Sequence, residues 1–261
     1  MDDLNILVTN DDGIDSVGFH ALYEELSKIG SVTAVAPAVD QSAVGRAVSQ
    51  SVAVRDHERG YVIEGTPVDC VVTGLSSLVP ETDIVVAGCN EGANMGAPVL
   101  GRSGTVSAAV EAAFLGVPAI ATSLYIPSPH WEKGDPVSSR QFASAVEATS
   151  YLAQHGIETG VFDEIDYLNV NAPMTEESTD EMVLTRPSDV YELSSEREDE
   201  TIRLTNSIWE KLERGEIPDP EGTDRRAILE KKISVSPLTA PHTSKNNDRL
   251  KDLVTGYTPT V

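Results

Sequence analysis

Positive charge is scarce in this chain. Across 261 residues, 19 lysines and arginines stand against 42 aspartates and glutamates, a formal net charge of −23 at pH 7. A deficit of that size repels polyphosphate backbones and excludes a role coating DNA or RNA. Cysteine is nearly absent: Cys70 and Cys89 form no CxxC pair and have no histidine at zinc-ligand spacing. That excludes a structural zinc module and fits reduced thiols in the cytosol. No run of about 18 apolar residues occurs, so no membrane-spanning helix is expected. The opening MDDLN has two acids and no basic stretch, so no secretory signal is expected and the cytoplasm is the default compartment. Internal repeats and low-complexity tracts are missing, as are the GxxxxGKS/T phosphate loop and the dinucleotide GxGxxG.

What is present reads as a globular α/β chain. Hydrophobic residues make up 40%, enough for a sizeable core. The acids are dispersed with no single acidic tail, a pattern that fits a solvated surface in a salt-rich cytoplasm and a halophilic origin. LNILVT (4–9) has the character of a buried parallel strand. Phe19, Leu22, Tyr23 and Leu26 then share one helical face, with Gly30 as the expected stop. SVTAVAP is the next strand. In GTPVDCVVTGL, Thr66 is a helix N-cap, Pro67 lies in the first turn and Asp69 stands three residues after the cap. DIVVAG reads as a strand ending at Gly88. Val106, Ala109, Val110 and Ala113 form a helical stripe closed by Gly116, followed by the strand VPAIATSL. Residues 137–155 read as a helix and IDYLNVNAP as a strand ended by Pro173. Beyond about residue 175 the chain turns polar, with strand-like EMVLTRP and KKISVSPL between charged stretches, and an irregular, partly β appendage suited to oligomer contacts is expected.

In an open parallel sheet, ligands bind at the carboxyl ends of the strands, near the switch in strand order. Three polar loops follow expected strands: NDDG, APAVDQSAVG and GCNEGANMGAPVLGRSGT. Adjacent Asp11 and Asp12 make a dense negative locus for a hard divalent cation, for which Ser42 and Asn90 offer further oxygens. Taken alone, Asp11-Asp12-Gly13 also reads as a polar turn with a helix cap. Ser103, Gly104 and Thr105 lie where a helix begins, either as ordinary caps or as a receptor for phosphate. A metal locus and an anion cradle on one rim point to a phosphoester.

The blocks ILVTNDDGIDSVG, APAVDQSAVGRAVS, GTPVDCVVTGL, DIVVAGCNEGANMG and SGTVSAAVEAAFLGVPAIATSL, in this order over residues 4–124, resemble the survival protein E (SurE) nucleotidases, metal-dependent phosphatases of nucleoside monophosphates. The resemblance implies that Asp11, Asp12, Ser42 and Asn90 bind one divalent ion per subunit, magnesium or manganese. It places Asn94, Ser103, Gly104 and Thr105 at the phosphate. Asp11, Asp12 and Asn90 are the expected catalytic set, Asp11 as acid/base or nucleophile and Asp12 as ligand. The implied fold is a Rossmann-like three-layer α/β/α core with a mostly parallel sheet over residues 1–175. Residues 176–261 would form an oligomerisation arm that returns to the core, giving homodimers or homotetramers. Two departures stand out. Cys89 replaces the family's usual isoleucine, and SPLTAPHTSKNND is shortened, which leaves His242 as a surface histidine in preference to a site residue. His20, His57, His130 and His155 match no catalytic position. The expected activity is hydrolysis of nucleoside 5′-monophosphates. A haloacid-dehalogenase-like phosphatase needs Asp-x-Asp where this chain has Asp-Asp-Gly, and a nucleotide-binding regulator without turnover is the remaining alternative.

Overall fold

The structure is a computed structural model that describes residues 4–128, 130, 136–240, 242, 251, 254 and 255. Its first strand, β1 (Leu4–Thr9), alternates its apolar residues between two layers. Ile6 and Val8 face one core, Leu7 the other, as the two-residue period of a strand requires. Helix α1 (Val17–Leu26) follows and buries Phe19, Leu22 and Leu26, the face expected from the spacing. The expected stop at Gly30 is not where α1 ends. Ser27 caps the helix, and Gly30 opens β2 (Gly30–Pro37). A Cβ at Gly30 would lie 2.2 Å from the Leu4 carbonyl oxygen. The glycine therefore serves the close β1–β2 pairing.

The hairpin of β3 (Ala53–His57) and β4 (Gly60–Glu64) extends the sheet beyond β2. Helix α2 (Pro67–Thr73) starts with a reciprocal capping box: Asp69 N–H donates to the Thr66 hydroxyl at 3.2 Å and Thr66 N–H to Asp69 Oδ2 at 2.8 Å. Next comes β5 (Ile84–Glu91). It does not end at Gly88 as expected. The strand continues through a cis Gly88–Cys89 peptide, and its register against β6 (Ala119–Tyr125) shifts between Ala87 and Asn90. Such an irregularity re-aims the side chains that follow it. Between these strands lie the single turn α3 (Ala97–Leu100) and α4 (Gly104–Phe114). The expected helix over 137–155 is a 3-10 turn (Ser139–Phe142) leading into α5 (Ala143–Thr159), which Gly160 ends in the left-handed region. Strand β7 (Tyr167–Pro173) completes the parallel run.

The later segment is built from β8 (Met182–Leu184), an exposed hairpin of β9 (Leu193–Glu198) and β10 (Thr201–Asn206), α6 (Ile208–Arg214), α7 (Asp224–Leu229) and β11 (Ile233–Leu238). Strand β11 pairs antiparallel with β7 and parallel with β8. The main sheet thus has nine strands in the order β3-β4-β2-β1-β5-β6-β7-β11-β8. Helices α1 and α5 pack on one face and α2 and α4 on the other, giving an α/β/α sandwich with two apolar cores. A smaller third core joins Met95 to Ile208, Leu212, Ile217 and Ile228. Strand order reverses between β1 and β5, with β2 on one side and β6 on the other. The loops after β1 and β5 flank that switch point, where α/β sheets bind ligands.

Candidate active site

Asp11 leaves the end of β1 and is only 4% exposed. Its carboxylate accepts the Thr105 backbone N–H at 3.1 Å and the Thr105 hydroxyl. Gly104 makes this contact possible, since a Cβ there would stand 2.7 Å from the Asp11 Cβ. The carboxylate therefore sits on the N-terminus of α4, where free N–H groups and the helix dipole favour an anion. Burial still raises the Asp11 pKa above its ordinary value, with the Thr105 hydrogen bonds acting in the opposite direction.

Asp12 is shifted in the same direction. Burial first and the neighbouring Asp11 carboxylate second push its pKa up to about 7, against the opposing hydrogen bond that Glu91 N–H donates to Asp12 Oδ2 at 3.0 Å. That bond fastens the loop after β1 to the end of β5. A third acid contributes. Asp40 raises the pKa of both Asp11 and Asp12 through its charge, and its loop is held by the Gln41 N–H, which donates to the Asp11 carbonyl at 2.7 Å. Among the described residues, no lysine, arginine or histidine forms an ion pair with Asp11, Asp12 or Asp40.

Ser42 is exposed, and its N–H and hydroxyl donate to Asp40 Oδ1 at 2.7 and 2.6 Å. The Asn90 side-chain N–H donates to the Gly92 carbonyl, which commits the amide nitrogen and leaves the oxygen. Asn94 is buried and pinned to the ends of β6 and β7. Its N–H donates to Asn171 Oδ1 at 2.8 Å and its Nδ2 to Ser123 Oγ at 2.9 Å; Asn169 and Asn171 both donate to its carbonyl. Ser103 caps α4, its oxygen accepting Val106 N–H at 3.1 Å. The Thr105 amide and hydroxyl are engaged by Asp11, so in this structure Thr105 orients that carboxylate. The Gly104 N–H, in the first turn, has no intrahelical acceptor.

The structure thus joins Asp11, Gly104 and Thr105 by direct contact, with Asp12 next to Asp11 and tied to Glu91, Ser42 reached through Asp40 and Asn90 adjoining Glu91. Among the described residues, the hydrogen bonds of Asn94 run to Ser123, Asn169 and Asn171 and none to this group. His242 is exposed, and most of the segment around it lies outside the described residues. Sequence reasoning passed over Asp40, a single acid in a loop, and the Ser123–Asn169–Asn171 amide cluster, which only the sheet assembles.

These residues fit a divalent cation. The donors are all oxygens, which suits a hard ion, and among the described residues the clustered acids have no ion-pair partner. Among the described residues, no group of three or more His, Cys, Asp or Glu is placed to hold a metal. The oxygens on offer are instead two carboxylates supplemented by neutral amide and hydroxyl oxygens, which would suit such an ion.

The family profile described as Survival protein SurE matches residues 6–192. A protein named 5′-nucleotidase SurE from Haloarcula marismortui is 55% identical over 99% of this chain and 97% of its own length. Another of the same name, from Natronomonas pharaonis, is 56% identical over 97% of this chain and 100% of its own. The crystal structure of the SurE protein from Aquifex aeolicus superposes with a TM-score of 0.71 at 29% identity, covering 96% of this chain and 98% of that one. With the switch-point acids, the helix N-terminus facing them and a family profile that spans most of the core, this chain belongs to the Survival protein SurE family.

Proposed function

We propose that this protein hydrolyses nucleoside 5′-monophosphates to nucleoside and inorganic phosphate, using one Mg²⁺ or Mn²⁺ ion per subunit. The observation that carries the reading is the buried Asp11 carboxylate set against the N-terminus of α4, with the half-buried Asp12 beside it and, among the described residues, no ion-pair partner for either. Asp11, Asp12, Ser42 and Asn90 are the residues that would hold the cation. When bound, it supplies neutralisation of the charge on the phosphoryl oxygens. The Ser103 hydroxyl and the Gly104 N–H receive the phosphate at the positive end of α4. Thr105 fixes the orientation of Asp11 by two hydrogen bonds. Asp11, whose burial raises its proton affinity, takes the proton of the attacking water as general base. The oxygen of that water joins phosphorus, the ester P–O bond breaks, and the proton taken up by Asp11 passes to the departing nucleoside oxygen, which returns Asp11 to its carboxylate form.

Residues 1–175 act in this reading as the catalytic core and residues 176–261 as an arm that assembles homodimers or homotetramers. Ile202 and Leu204 on β10 support it, being 62% and 68% exposed on one face of the hairpin. The reading also places the protein in the cytoplasm, supported by its two unpaired cysteines. Among the described residues no helix is long and apolar enough to cross a membrane. The test is phosphate release from adenosine and guanosine 5′-monophosphate by the full chain, with Mn²⁺ and with chelator. Release that chelator abolishes supports the reading. Nucleotide binding without release places the chain among nucleotide-binding regulators.

A further inference from the structure

A cleft of about 250 Å³ opens beside the candidate active site, lined by Gly92, Ala93, Tyr125, Ile126, Ser128, Trp209 and Glu213. It shares a wall with the site. Gly92 and Ala93 belong to the loop that carries Asn90 and Asn94, and the Gly92 carbonyl accepts the Asn90 side-chain N–H. Its floor continues β6: Tyr125 lies two residues beyond Ser123, the partner of Asn94. The opposite wall is α6, on which Trp209 and Glu213 are one turn apart and share a face. The other face of α6 is anchored, with Ile208 and Leu212 buried against Met95, Ile217 and Ile228. Glu213 is in turn held by Ser128 N–H at 2.8 Å.

Two aromatic rings and small apolar neighbours offer flat surfaces for stacking. The sign of the charge sets the direction of a bound ester. The Asp11–Asp12 locus with a cation, and the N-terminus of α4, draw the phosphate. The Glu213 carboxylate repels a phosphate and accepts N–H or O–H groups instead. We infer that this cleft is the nucleobase subsite, in which Trp209 stacks on the base and Glu213 accepts hydrogen bonds from the nucleoside. The assignment rests on the nucleotidase reading above. It also makes α6, a late element, part of the substrate site formed by the early loops.

The experiment compares kcat/KM for adenosine 5′-monophosphate and for ribose 5-phosphate, which lacks a base, in the full chain with Mn²⁺. Trp209→Ala is expected to lower kcat/KM for the nucleotide about tenfold or more, the usual scale of a lost base–aromatic stack. The ribose 5-phosphate value stays within about twofold, and Trp209→Phe restores the nucleotide value. Equal losses on both substrates, or no loss on either, overturn the assignment. If Trp209→Ala melts early, Ser128→Phe, which narrows the cleft and deletes no contact of Trp209, replaces it with the same expected discrimination. Wild-type protein that hydrolyses neither substrate defeats the nucleotidase reading instead. Equilibrium dialysis of adenosine 5′-monophosphate then decides the subsite: binding weakened by Trp209→Ala upholds it, and unchanged or absent binding overturns it.

Discussion

At the scale of the residue, the contact between Gly104 and Asp11 is the tightest constraint in the site. Gly104→Ala would force a methyl to within 2.7 Å of the Asp11 Cβ and displace a carboxylate that Thr105 otherwise fixes. Misplacing a catalytic group by about 1 Å typically costs about a hundredfold in rate. A loss of that order in kcat with little change in melting temperature is the expected result, read by steady-state kinetics alongside calorimetry. Asp12→Asn tests the neighbouring acid differently. It removes a half-buried charge that, among the described residues, has no ion-pair partner and repels Asp11, while the amide oxygen can still accept the Glu91 N–H, so the variant is expected to fold at least as well as wild type without metal. It is also expected to lose most activity and most of the rise in melting temperature that Mn²⁺ gives the wild type. Full turnover by Asp12→Asn would remove Asp12 from the metal set. Adjacent acids after an apolar strand were legible in the sequence. Asp40 was not, because nothing in its local pattern says that its charge reaches Asp11 and Asp12; only the convergence of two loops does that.

Elements carry the positioning. Capping chemistry made α2 legible to the residue: Thr66, Pro67 and Asp69 take the places their spacing assigned. Asp69 also accepts the Ser49 N–H and hydroxyl, both at 2.8 Å. Burial pushes its pKa up, but the Ser49 and Thr66 hydrogen bonds outweigh burial and hold it below the ordinary carboxylate value. A depressed folded-state pKa stabilises the fold above the unfolded-state value of about 4 and ceases to do so as pH falls through the lower one. Asp69→Asn is therefore expected to cost about 1 kcal/mol at neutral pH, with the difference from wild type shrinking below about pH 4, as urea titrations at several pH values would show. No such local signal announced α7. Its Asp224 accepts Gly96 N–H at 2.6 Å and Ser188 N–H at 3.1 Å, and Arg225 bonds the Val190 carbonyl at 2.9 Å and Asp219 at 3.2 Å. Together they clamp the loop between β5 and α4. Arg225 is 1% exposed. Arg225→Met strands the buried Asp219 carboxylate and is expected to cost about 3–5 kcal/mol in urea unfolding; a cost under about 1 kcal/mol would contradict the clamp. The charged strands β9 and β10 were equally hidden, since every residue of β9 is exposed and no apolar alternation marks it. The sequence showed β11 as a strand, but its antiparallel return beside β7 is a long-range pairing that no local pattern encodes.

The whole molecule is governed by its charge. At −23, self-repulsion opposes the compact state unless salt screens it, and the screening length shortens from about 10 Å at 0.1 M to about 3 Å at 1 M. Dilution from molar salt is therefore expected to lower the melting temperature, with unfolding setting in at low ionic strength; a melting temperature indifferent to salt would count against a saline adaptation. In the proposed function the same acidity would be reversed locally, where a cation held at Asp11 and Asp12 and the N-terminus of α4 would face the substrate, and this reversal is the central claim. It is tested most directly by a crystal grown with saturating Mn²⁺ and measured at the manganese absorption edge. The account predicts one anomalous peak per subunit among the oxygens of Asp11, Asp12, Ser42 and Asn90. An active protein whose crystal shows no manganese among these residues would contradict it.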